Sequence, residues 1–171
     1  MAKWRLLFTG LALVGSVPAA AQPTELSVKA AFLSKFGRYV EWPSGVNASP
    51  VELCIVGADS FGRLIDQAAR SEPSALTIRR YARAEQARGC DVAFLQGTHS
   101  QSTAQMVRTL DGAPVLTVTD SRNGSARGII HYAIRDGKVG FHIDDAMAAR
   151  SGLQISSRLL QLAISVRQRR G

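Results

Sequence analysis

The chain has 171 residues, 21 Lys and Arg against 13 Asp and Glu, a formal charge of +8 and 46% hydrophobic residues. That apolar content excludes a disordered tail or linker, and the length suits one domain with a real core. Two cysteines are too few for a disulfide-framework miniprotein or a four-Cys zinc module, and Gly and Pro follow no fibrous period.

Residues 1–21 read as a cleaved signal peptide. Lys3 and Arg5 precede an apolar run from Leu6 to Val17, and Ala19-Ala20-Ala21 offers a small-x-small site before Gln22. The run of about twelve residues falls short of the roughly twenty that cross a bilayer. Export of residues 22–171 as one domain is the expectation. In that segment every basic residue is arginine except Lys29, Lys35 and Lys138. An exported chain with 6% aromatics and no basic stripe does not read as a nucleic-acid binder. Arg167, Arg169 and Arg170 read as the solvated basic end of a terminal helix.

In chain order, Leu26 to Trp42 shows a helical stripe through Val28, Phe32, Phe36, Tyr39 and Val40, with Thr24 as N-cap and Pro43 as stop. Val51–Val56 is an apolar run ended by Gly57, as in a strand buried on both faces. Phe61–Arg70 reads as a helix, Leu76–Tyr81 as a second strand, Ala84–Arg88 as a short helical stretch and Asp91–Leu95 as a third strand. Ser102–Leu110 is helical and Val115–Val118 is a fourth strand. This alternation predicts a mostly parallel sheet with helices on both faces.

Asp136-Gly137 is a two-residue type I′ hairpin signal inside Ile129–Asp144. Centring the turn there opposes Tyr132 to Phe141, Arg135 to Lys138 and His131 to His142. Ile130, Tyr132, Ile134, Val139, Phe141 and Ile143 then share an apolar face, and His131 and His142 fall on a solvated one. Ile155–Val166 closes the chain as a helix that buries Ile155, Leu159, Leu162, Ala163 and Val166.

Export and an even cysteine count favour a Cys54–Cys90 disulfide, closing a loop of about 37 residues worth roughly 4 kcal/mol in the chain-entropy model. The alternative is two separate buried thiols. His131 and His142 are a weak metal candidate without a clear third ligand, set against an ordinary solvated strand face or a proton-sensitive pair. Gly57-Ala58-Asp59-Ser60-Phe61-Gly62 joins strand to helix where α/β folds bind ligands, yet it is neither a dinucleotide nor a Walker fingerprint. Helix capping is the economical role for Asp59 or Ser60. Asp120, Asp144 and Asp145 do not assemble with a nucleophile, Asp145 reads as a helix cap, and no hydrolase or metalloprotease motif is present.

Three segments together resemble the YfiR family of small exported bacterial proteins. They are Val28-Lys29-Ala30-Ala31-Phe32-Leu33 with Phe36 and Val40-Glu41-Trp42-Pro43; Leu53-Cys54-Ile55-Val56-Gly57 with Phe61-Gly62 and Gly89-Cys90-Asp91; and Gly152-Leu153 with Ile155-Ser156-Ser157-Arg158-Leu159-Leu160 and Leu162-Ala163. The resemblance runs over about residues 26–167 and includes Pro114-Val115-Leu116-Thr117-Val118. It implies a non-enzymatic periplasmic regulator that binds and inhibits the sensor domain of an inner-membrane diguanylate cyclase. It also implies that the family's shared disulfide falls on Cys54 and Cys90, while a second cysteine pair found in some members is absent here.

The resulting expectation is a single three-layer α/β domain. Its mixed sheet is parallel at the centre in the order 2-1-3-4, with a C-terminal antiparallel hairpin and helices on both faces. No catalytic residue and no cofactor are assigned. The expected partner is an inner-membrane diguanylate cyclase or similar receptor, with a homodimer also open and no partner surface located. The competing readings are a small-ligand sensor using the strand-to-helix loops and, third, a hydrolytic or metal enzyme.

Overall fold

Residues 23–43, 50–72 and 76–169 are described in a computed structural model of the chain. The segment read as a signal peptide, residues 1–21, and Arg170 lie outside them. Helix α1, Glu25–Phe36, starts at Thr24, whose hydroxyl accepts from the Ser27 N–H, with Glu25 in the first turn.

The helix ends at Phe36, six residues before the expected last helical residue, Trp42. One 3-10 turn, Gly37–Tyr39, leads into β1, Val40–Glu41, which pairs antiparallel with β8, Gln154–Ile155. Two tertiary facts outweigh the helical stripe. Gly37 lies so close to Val51 that an added Cβ would sit 2.8 Å from its Cγ1. The Tyr39 carbonyl also accepts from the Ser156 N–H, which holds the chain extended here.

The main sheet is built from β2 (Val51–Gly57), β3 (Leu76–Tyr81), β4 (Val92–Gln96), β5 (Leu116–Asp120), β6 (Ile130–Arg135), β7 (Lys138–Asp144) and β9 (Ser165–Arg167). Their order is β3-β2-β4-β5-β6-β7-β9. All pairings are parallel except β6 with β7. The first four strands of the sheet, β2 to β5, take the expected 2-1-3-4 order.

Alternation along the parallel strands divides the core between the two faces. Leu53, Ile55, Val92, Phe94, Leu116 and Val118 point to the face covered by α1 and by α2, Arg63–Arg70. Cys54, Val56, Ala93 and Leu95 point to the other, beneath Met106 and Leu110 of α3, Thr103–Leu110. The first core continues across Ile130, Tyr132, Phe141 and Ile143. The second takes no member from β6, β7 or β9. Among the described residues, the sheet is thus helix-covered on both faces only around β2 and β4.

The hairpin has the expected register: Tyr132 opposes Phe141, His131 opposes His142 and Arg135 opposes Lys138. Asp136 and Gly137 turn with φ of 50° and 71°, as a type I′ turn requires. The predicted closing helix is corrected. Residues 154–167 instead form β8, a short α5 (Ser157–Leu162) and β9, and Leu162 is 62% exposed. The free edge of β7 outweighs helix propensity: the Ile164 N–H donates to the Phe141 carbonyl, and β9 then pairs along the strand.

Candidate functional site

Cys54 and Cys90 form a disulfide, with Cα atoms 6.1 Å apart. Glu52 lies beside them, but both sulfurs are bonded to each other, so the group offers a metal no thiolate. The bridge anchors β2 to the residues entering β4.

At the strand-to-helix loop after β2, where an α/β sheet reverses its winding, a ligand crevice would be expected. Here the backbone closes it. The Ala58 N–H donates to the Gln96 carbonyl at 3.0 Å, and the Gln96 side chain takes the Ser60 N–H and donates to Asn123. Gly57 has φ +85°, and a Cβ there would land on the Gln96 carbonyl oxygen. Asp59 is consumed locally: one oxygen accepts from the Phe61 and Gly62 N–H groups, the other from Arg80 Nε at 2.8 Å. Its role is to hold the turn before α2 rather than to receive a ligand.

The face of β5, β6, β7 and β9 that no helix among the described residues covers carries a row in register: Thr119, His131, His142 and Ser165. Thr119 Oγ1 lies 2.8 Å from His131 Nδ1, and Ser165 Oγ lies 2.7 Å from His142 Nδ1. His131 is 4% exposed, which corrects the expectation of a solvated ring. The β5–β6 connection folds back over it, with the Gly128 N–H donating to Thr119 Oγ1 and the Ile129 N–H to Thr117 Oγ1. His142 is half-buried.

Above this row lies a cavity of about 160 Å³ lined by Arg127, His131, His142, Asp144, Ser165 and Arg167, among others. Burial pushes both imidazoles below their usual value, and the Arg127 charge adds to this for each. Asp144 Oδ1 accepts from the Met147 N–H, which makes Asp144, rather than Asp145, the cap of α4, Asp145–Arg150. Asp144 Oδ2 accepts from Arg167 Nη1 at 3.2 Å. Asp145 is buried and takes two bonds from Arg169. Arg167 and Arg169 are therefore ion-paired around a strand, where a solvated helix end was expected. Among the described residues, no group of three metal-ligating side chains includes either histidine.

A second polar cluster lies on the opposite face and was not singled out from the sequence. Lys29 is buried at 1% exposure, with Nζ 2.6 Å from Asp120 Oδ2 and a second bond to Glu25. Arg122 clamps Glu25 with two nitrogens, and the Tyr132 hydroxyl donates to the Lys29 carbonyl at 2.8 Å. Arg122 first and Lys29 second hold the Glu25 carboxyl down to about 2. The available signal was helical spacing: Lys29 shares the inward stripe of Leu33 and Phe36. The cluster pins α1 to the end of β5 and to Tyr132 within β6 and leaves no free nucleophile or base.

The YfiR/HmsC-like family model matches residues 26–164, nearly all of the folded domain. The chain belongs to the YfiR/HmsC-like family. That family comprises periplasmic, non-catalytic regulators of diguanylate cyclase signalling. No curated protein gives a significant match. A conserved domain protein from Vibrio cholerae O1 biovar El Tor has a similar crystal structure, with TM-score 0.53 and 12% identity. The match covers 83% of this chain and 60% of that one, a likeness of fold alone.

Proposed function

We propose that this YfiR/HmsC-like protein is exported by a signal peptide over residues 1–21 and restrains an inner-membrane diguanylate cyclase by binding its periplasmic sensor domain. The family match over residues 26–164 carries this reading. The geometry supports a binding role: the carboxylates of Asp59, Asp120, Asp144 and Asp145 are all engaged in caps or ion pairs. None of them stands beside a nucleophile with a free proton to move. The filled crevice between β2 and β4 gives the competing small-ligand sensor no loop site there.

The test is deletion of the gene, with cellular cyclic-di-GMP as the readout and a pull-down of the mature protein against solubilised inner membranes. Loss of the chain raises cyclic-di-GMP, and both wild type and Asp59→Asn restore the low level. An unchanged level in the deletion strain across growth conditions sinks the proposal. Loss of restoration by Asp59→Asn, with folding and partner capture intact, removes the binding-only mechanism.

A further inference from the structure

The cavity above the Thr119–His131–His142–Ser165 row is not used by the regulator reading, and its chemistry does not depend on that reading. It brings two arginines and two imidazoles together over a polar sheet face. We propose that it binds a small oxyanion of the phosphate or sulfate class, held between Arg127 and Arg167 above the two histidine rings.

Three observations carry this. First, the Nδ1 atoms are tied back to Thr119 and Ser165, which fixes both rings, while neither Nε2 has a hydrogen-bond partner among the described residues. Two positioned ring N–H donors are the product once the rings are protonated. Second, Arg127 makes no ion pair among the described residues, although it stands close enough to depress both imidazoles. Arg167 has one contact with Asp144, which leaves most of its guanidinium donors available. Third, 160 Å³ holds about five water volumes, which suits a hydrated tetrahedral anion. The two arginines repel a metal cation, and the Asp144 oxygens already have partners.

Proton uptake then couples to the anion. The charged groups facing the rings are Arg127 from the β5–β6 connection, Arg135 at the end of β6, Asp144 on β7 and Arg167 on β9, while Asp120 on β5 acts on His131 from the opposite face. Only Asp120 favours the charged ring, at His131. A bound oxyanion reverses the balance at the rings, so ring protonation and anion binding favour each other.

The test is a titration of the mature protein with inorganic phosphate, followed by the histidine ring NMR signals across the imidazole pH range. Phosphate is expected to raise the apparent pKa of both His131 and His142. Arg127→Gln and Arg167→Gln are each expected to weaken binding at least tenfold, about 1.4 kcal/mol. Arg127 is exposed, so its variant keeps the parental melting temperature, and Arg79→Gln serves as a surface-charge control. Ring signals that ignore phosphate, or respond equally in Arg127→Gln, overturn the site. A second arm uses phosphatidylglycerol vesicles: binding there without any response to free phosphate also overturns it, because the site is built for a free oxyanion between Arg127 and Arg167.

Discussion

Lys29 shows how one side chain can be both the least helix-core-like residue of α1 and the one that fixes it. Its ammonium is out of water and answered by Asp120 and Glu25. Lys29→Ala strands Asp120, which keeps only the Arg122 N–H, and is expected to cost about 3–5 kcal/mol in urea unfolding. Lys29→Met combined with Asp120→Asn removes both charges and is expected to recover most of that loss. Glu25 adds a pH signature. Its folded carboxyl is depressed from 4.5 to about 2, so its contribution is complete above 4.5 and is lost as pH falls towards about 2. The melting temperature of Glu25→Gln should lose that slope. His131 has the reverse chemistry but the same sign: its folded value is lowered, so the unfolded chain binds the proton first and stability declines as pH falls below 6.5. His131→Gln should flatten the melting curve in that interval; an unchanged pH slope would show that the ring is not protonated in step with unfolding.

At the scale of elements, the hairpin was the most legible part of the chain and the closing segment the least. Asp136-Gly137 and strict alternation determine register locally, because a slip by one residue would turn Tyr132 and Phe141 to the wrong face. Phe141 packs edge-on against Phe32 and Phe36, at centroid distances of 5.7 and 5.2 Å. Phe141→Ala is therefore expected to cost about 3–5 kcal/mol, and Ile134→Ala, at the exposed tip, under about 1 kcal/mol. Equal costs would contradict the register. Residues 155–166 misled for a physical reason: Ile155, Leu159 and Val166 fit a helical stripe, but the requirement for a partner on β7's edge is invisible locally. The same blindness hid half of the polar row. His131 and His142 were legible as a cross-strand pair, whereas Thr119 and Ser165 join them only through β5 and β9. Gly57 is the corresponding point at the β2 crest, and Gly57→Ala should cost about 3 kcal/mol or more because both φ and space oppose it.

For the whole molecule, the alternation of strands and helices was enough to give the layer architecture, and the expected Cys54–Cys90 bond, by placing the first strand beside the third, gave the 2-1-3-4 order. Topology beyond β5 depended on long-range pairing. The disulfide belongs to this scale, since it links two neighbouring strands across a separation of 36 residues that includes all of β3. Replacing both cysteines with alanine is expected to lower stability by about 2–5 kcal/mol, with no change in the native sheet by circular dichroism. Dithiothreitol should bring the wild type to the same midpoint.

The sheet ends on strands that carry arginine: Arg79 and Arg80 on β3, Arg167 on β9. Another strand arriving at either border would have to strip water from guanidinium groups that already hold Glu52, Asp59, Asp66 and Asp144. Self-association by sheet extension is thereby discouraged at both borders. Two copies that do meet are steered away from their strand edges, and at high local concentration the chain is protected from fibrous growth by its own rim.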